Sequence, residues 1–179
     1  MKLGRGLAAA VFVMLISVCV VPVLAAETPS AKTYPAANAK ARVCILAYET
    51  EFKRNLTAAL ALDLNANGIT VIADSVKNHR NYRAADYDAV IVLSGMRMGG
   101  VLTEAADFIK ANDYAPNIIY VFTHKIEGSP YGRKGNVLDS NRIDAISSAS
   151  VSKTEAAFGA VEKQIFDSAT KLIAAARKA

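Results

Sequence analysis

Arg42-Val-Cys-Ile-Leu-Ala-Tyr48-Glu-Thr-Glu-Phe-Lys-Arg-Asn55 runs from an unbroken apolar stretch of strand length straight into a charged turn. Beyond it, Leu56, Ala59, Leu60 and Leu64 recur at helical spacing across Asn55–Ala66, and Asn67-Gly68 supplies the stop. A strand that is apolar at every position is buried on both faces, as in a parallel sheet sandwiched between helices. The alternation then continues. Ile69–Ala73 reads as a second strand, Tyr82–Tyr87 as a short connector, and Ala89–Leu93 as a third strand, apolar throughout. Leu102–Lys110 places Leu102, Ala105, Ala106 and Ile109 on one helical face, and Ile118–Phe122 is a fourth strand. Lys125–Arg142 breaks the rhythm with 18 residues, three glycines and one proline, a length that belongs to functional or mobile loops. Ile143–Ser147 follows as a short fifth strand. Ser152-Lys-Thr-Glu155 has the pattern of a capping box, opening a helix that carries Phe158, Val161, Ile165, Leu172 and Ala176 on one face. Mixed charge on its other face favours packing on the sheet over lying on a membrane surface. The expected fold is a single α/β domain with a doubly wound parallel five-stranded sheet.

The N-terminus fixes the compartment. Lys2 and Arg5 precede an apolar run from Leu7 to Val21, and Pro22-Val-Leu-Ala-Ala26 follows, which is the three-part pattern of a secretory signal. Val23 and Ala25 suit the positions before a cut after Ala25, so residues 1–25 are read as a signal peptide and the protein as periplasmic or extracellular. An uncut anchor is the competing reading. The run is shorter than the roughly 20 residues a spanning helix needs, and Pro22 interrupts it. Glu27–Lys40, rich in Ala, Pro, Thr and Asn, reads as a flexible leader within residues 26–41, and residues 42–179 as the domain.

Cleavage leaves 154 of the 179 residues, with 19 basic against 16 acidic side chains, a net charge of +3. That charge is spread along the chain with no stripe of Lys and Arg interleaved with aromatics, which argues against nucleic acid as a partner. Membrane contact is expected only through the signal segment, if uncut. Cys19 leaves with the signal, so Cys44 is alone; no internal disulfide or cysteine metal site can form, and mid-strand it reads as a small buried hydrophobe.

The first strand-to-helix turn of such a sheet is where a phosphate sits on helix N–H groups. Here Tyr48–Asn55 contains no glycine, and Glu49 and Glu51 oppose an anion, while Lys53, Arg54 and Asn55 favour one. Three stretches resemble the flavodoxin-like domain of menaquinone-dependent protoporphyrinogen oxidases. Tyr48-Glu-Thr-Glu-Phe-Lys-Arg-Asn55 falls where that family has a Tyr-Ser-Thr-x-x-Gly-x-Thr phosphate loop. Tyr87-Asp88-Ala-Val-Ile-Val-Leu-Ser94 is similar to its Tyr-Asp and third strand, and Gly95-Met-Arg-Met-Gly-Gly100 falls at its second flavin-contacting loop. The turn keeps Tyr48 and Thr50 but has Lys53 at the usual glycine and Asn55 for the last hydroxyl residue.

Together with the apolar runs, the resemblance implies a flavodoxin-like fold with strand order 2-1-3-4-5; it also implies an FMN-dependent electron carrier or flavin reductase component, with a partner protein or a quinone as redox partner. It implies phosphate at Thr50, Lys53, Arg54 and Asn55, and the ring at Ser94, Gly95, Met96, Arg97, Met98 and Gly99, with Tyr131 as the stacking aromatic. His124, closing the fourth strand, would donate to the flavin or carry a proton. His79, in the polar run Lys77–Arg83, reads as solvated. Two alternatives stand beside this. One is a cofactor-free binding module with the long loop as its contact surface. The other rests on Asp144-Ala-Ile-Ser-Ser-Ala-Ser150-Val-Ser152, which resembles the Asp-Ala-Ile-Ser-Gly-Ala-Thr segment of exported domains that carry FMN as a phosphoester. Ser148 and Ser150 replace its glycine and its acceptor threonine.

Overall fold

The computed structural model describes residues 31–97, 100–124, 141–146 and 155–178. Five strands lie parallel: β2 (Ala41–Ala47), β3 (Ile69–Ser75), β4 (Ala89–Arg97), β6 (Ile118–His124) and β7 (Arg142–Ile146). They are ordered β3-β2-β4-β6-β7, which is the 2-1-3-4-5 order expected from the apolar runs together with the third-strand resemblance. Helix α1 (Glu51–Ala66) connects β2 to β3, α2 (Thr103–Ala111) connects β4 to β6, and α3 (Glu155–Ala176) ends the chain.

Two strands fall outside that scheme. β1 (Lys32–Tyr34) pairs antiparallel with β3, and β5 (Gly100–Val101) pairs antiparallel with the end of β4. The sheet therefore has more strands than the five expected. Part of the stretch read as a flexible leader is an ordered edge, with Lys32 opposite Ala73 and Tyr34 opposite Val71. Its three residues are too few for any periodicity to show. What holds it is an open ladder on β3, the Asn65 side-chain amide donating to the Tyr34 carbonyl (3.1 Å), and the Ala36 N–H donating to Thr70 Oγ1 (3.2 Å).

The period of two in the strands sorts the core into two layers. Val43, Ile45, Val71, Ile91, Leu93, Ile119, Val121 and Ile143 face α1 and α3. Cys44, Leu46, Val90, Val92, Ile118, Tyr120 and Phe122 face α2 and the crossover from β3 to β4. Cys44 is fully buried, in the role expected of it. Helix α1 lays Phe52, Leu56, Leu60, Ala61 and Leu64 on the first layer and meets α3 edge to face, Phe52 against Phe158 at 5.9 Å and 80°. Gly68 ends it at φ +75°, a conformation glycine adopts without cost.

The crossover from β3 to β4 contains no α-helix. Two 3-10 turns, Val76–Asn81 and Ala84–Asp86, cover the second layer instead. Side chains reinforce the backbone bonds of these turns, which include the Tyr82 N–H to the His79 carbonyl (3.1 Å) and the Tyr87 N–H to the Ala84 carbonyl (3.2 Å). Asp74 accepts from the Tyr82 hydroxyl (2.6 Å) and from Asn78 Nδ2 (3.0 Å), and Asn112 Oδ1 accepts from the Ala84 N–H (2.6 Å). The Tyr87-Asp88 pair also has a structural task. Asp88 Oδ2 accepts from the Arg42 N–H at 2.7 Å, and the Arg42 guanidinium lies over the Tyr87 ring at 5.3 Å, joining the starts of β2 and β4.

Candidate functional site at the carboxyl edge of the sheet

From β2 the chain winds through α1 to β3 on one side; from β4 it winds through α2 to β6 on the other. The reversal leaves a crevice beyond the carboxyl ends of β2 and β4, where ligands bind in open α/β folds. The connection into α1 is short. Tyr48, Glu49 and Thr50 alone separate β2 from α1, so the helix begins at Glu51, four residues before the start its apolar spacing predicts. Thr50 is its N-cap, with Oγ1 accepting from the Lys53 N–H (3.3 Å) and its carbonyl from the Arg54 N–H (2.8 Å). The Thr50 N–H donates to the Tyr48 carbonyl (3.0 Å). Glu51 and Phe52 are the first helical residues, where N–H groups have no intrahelical acceptor.

Lys53 differs most from its sequence reading. It is 5% exposed and lies on the apolar face of α1. Its ammonium sits at the end of β4, where a Cβ added to Gly95 would be 3.6 Å from Lys53 Nζ and 3.3 Å from Thr123 Oγ1. The turn thus has a lysine where the resembled family has glycine, and a glycine on the facing strand leaves room for it. Among the described residues no carboxylate pairs with this ammonium; the ion pairs there are Arg142–Asp144 and Lys163–Asp167. Burial accordingly pushes the Lys53 ammonium below its usual range.

Ser94, Gly95, Met96 and Arg97 continue β4 rather than forming a loop after it. The strand runs four residues past its expected end, and Met96 and Arg97 pair with Val101 and Gly100 of β5. Ser94 is fully buried, and its carbonyl accepts from Thr123 Oγ1 at 2.6 Å. Arg54 and Asn55 are exposed, as are Glu49, Thr50 and Glu51. His124 ends β6, its ring 6.2 Å from Phe122. Met98, Gly99, Tyr131 and the Ser148–Ser150 segment lie outside the described residues, as do the signal segment and most of the long loop.

Sequence reading missed three features of this edge. The Tyr48 hydroxyl donates to Glu104, closing the turn onto the first turn of α2. That bond holds the Glu104 carboxyl below its usual range, while burial first, and the bond second, push the Tyr48 hydroxyl upward. Thr123 was missed because its part depends on β6 lying beside β4. His79 is 8% exposed rather than solvated; its Nδ1 lies 3.1 Å from the Val76 carbonyl. Beyond β2 and β3, a cleft of about 370 Å³ opens between β1 and α1, lined by Tyr34, Glu49, Arg54, Thr57 and Asp74. No cluster of metal-ligating side chains occurs among the described residues.

No family profile and no curated protein matches the sequence. Solved structures do share the fold. Rubredoxin oxygen:oxidoreductase from the anaerobe Desulfovibrio gigas matches 78% of this chain at 17% identity and a TM-score of 0.57, over 37% of its own length. A flavodiiron core from Synechocystis sp. matches 75% at 13% identity and 0.56, over 36% of its length. A flavodoxin from the domain Archaea matches 73% at 12% identity and 0.51, over 98% of its length. The chain therefore spans little more than a third of the first two. The likeness is one of fold, and the fold is flavodoxin-like.

Proposed function

We propose that the protein is an exported flavodoxin-like electron carrier, or a flavin reductase component, that takes FMN non-covalently at the carboxyl edge of its sheet. The observation that carries this is Lys53, a largely buried lysine with no carboxylate partner among the described residues, at the chain reversal where this fold binds ligands. A buried charge left unpaired is costly, and an anion entering the crevice would offset that cost. The Glu51 and Phe52 N–H groups and the exposed Thr50 hydroxyl are the further donors beside it.

These residues fit a phosphate group. Lys53 would supply the charge that a glycine-rich turn supplies through its backbone, and Thr50, Arg54 and Asn55 would line the approach. The flavin, when bound, would accept and deliver electrons, and the protein's part would be to hold it and exclude water. The rim formed by β4 and β5, with His124, would face the ring. Export is supported by the signal pattern of residues 1–25. The finer resemblance to the protoporphyrinogen oxidase domain supports a quinone or a partner protein as redox partner.

The test compares FMN with riboflavin, which lacks the phosphate. FMN fluorescence should quench on titration with the purified protein, riboflavin should quench less, and Lys53→Met should remove the difference. No quenching by either would sink the proposal. A second reading, a cofactor-free module, draws on Glu49 and Glu51: both are exposed at the turn, and Glu51 already complements the helix dipole. It expects neither flavin to quench. Colour surviving denaturation would instead favour attachment at Ser150.

A further inference from the structure

The recess between the 3-10 crossover and α2 has no part in the proposed flavin site. It is a half-open recess of about 490 Å³, within the size range of small-molecule sites, and His79, Arg80, Arg83, Asp107, Lys110 and Asn112 line it. Three of these are permanent cations drawn from two separate segments, and Asp107 is the one carboxylate among them. Arg80, Arg83 and Lys110 make no ion pair among the described residues, where the pairs lie on β7 and within α3. Glu104, at the start of α2, does not line it, and its carboxylate is already taken by Tyr48.

The floor is fixed in advance. Asn112 is held at both ends of its amide, with Oδ1 accepting from the Ala84 N–H (2.6 Å) and Nδ2 donating to the Phe108 carbonyl (2.8 Å). His79 Nδ1 faces the Val76 carbonyl at 3.1 Å; a carbonyl only accepts, so this nitrogen carries the hydrogen and Nε2 is left as the second donor-or-acceptor site. A concave site with a rigid polar floor and converging cations selects charge density rather than apolar area.

We propose that this recess binds a compact polyanion, a small molecule bearing two or more carboxylate or phosphate charges. Arg80 and Arg83 clamp it from the crossover and Lys110 from α2. A small solute fits better than an acidic protein surface, because the three cations line one recess of limited volume. The site is independent of the flavin crevice and stands whether or not FMN binds.

The test titrates inorganic pyrophosphate and, separately, citrate into the purified protein at low ionic strength while backbone amide shifts are followed. Saturable shifts centred on residues 76–84 and 107–112 are expected, with pyrophosphate and citrate distinguishing a phosphate from a carboxylate preference. The exposed double variant Arg80→Gln with Arg83→Gln should weaken binding about tenfold, the equivalent of ~1.4 kcal/mol. Three results would each overturn the proposal: no saturable shift with either anion, shifts confined to residues 48–54, or undiminished affinity in the double variant.

Discussion

Replacing Lys53 with methionine should make the protein more stable, the reverse of what truncating a buried side chain does. Methionine keeps the length and the apolar stem and removes only the charge. Lys53 is 5% exposed and no carboxylate pairs with it among the described residues, so its ammonium is partly desolvated with no countercharge. Partial burial of an uncompensated charge costs roughly 1–3 kcal/mol. We expect Lys53→Met to gain about 2 kcal/mol at pH 7. With a denaturant slope near 2 kcal/mol per molar urea, the midpoint should rise by about 1 M. The pH dependence has a definite sign. The Lys53 pKa is lowered in the folded state, so between that value and the ordinary lysine value near ~10.4 the unfolded chain binds more protons. Native stability therefore rises with pH through that window, and the gap to the variant closes toward its upper end. Adding phosphate should reverse the order. An anion at a hundred times its dissociation constant adds about 2.7 kcal/mol to the native protein and nothing to the variant. Urea titrations of both chains at several pH values, with and without phosphate, measure all three effects. A variant less stable than the native chain in phosphate-free buffer at pH 7 would refute the reasoning.

Other expectations follow from the same geometry. Leu56→Ala removes a fully buried side chain between α1 and the sheet and should cost about 3 kcal/mol in the same urea titration. Tyr48→Phe should cost about 1 kcal/mol at pH 7 by removing the donor to Glu104. Because that donor lowers the Glu104 pKa, its contribution is complete above the ordinary glutamate value and fades as pH falls through the lowered one, so acid titration of both proteins should bring the curves together. Gly68→Ala forces a Cβ into φ +75° and should cost about 1 kcal/mol by thermal melting, although the nearest side chain leaves room for it.

The parallel core was legible because burial on both faces writes itself into a strand as an unbroken apolar run. Val43–Ala47, Ala89–Leu93 and Ile118–Phe122 each carry that mark, and the order of the five parallel strands came from those runs together with the third-strand resemblance at Tyr87–Ser94. Boundaries were less legible where backbone pairing continues past the apolar residues. Ser94 and Gly95 give no strand signal of their own, but they extend β4 because Phe122 and Thr123 of β6 lie alongside. The start of α1 was hidden for a related reason: Glu51 and Phe52 belong to the first turn through Thr50's cap, not through spacing. Lys53 could not be placed from sequence, since a lysine in a charged turn reads as solvated until the missing side chain at Gly95 is brought opposite it. The basic recess was hidden because its cations come from segments about thirty residues apart that meet only when α2 packs on the crossover.

The direction of β1 decides how the molecule would sit on any support. Lys32 lies opposite Ala73 and Tyr34 opposite Val71, so this strand starts at the carboxyl edge of the sheet and runs down toward the other end. Lys32 thus stands at the same edge as the turn into α1, lining one cleft with Glu49 and Arg54. The far terminus departs at the opposite pole, where Arg177 reaches the Lys40 carbonyl. A purification tag fused just ahead of β1 would crowd the crevice at that edge, whereas one attached behind Lys178 would leave it clear.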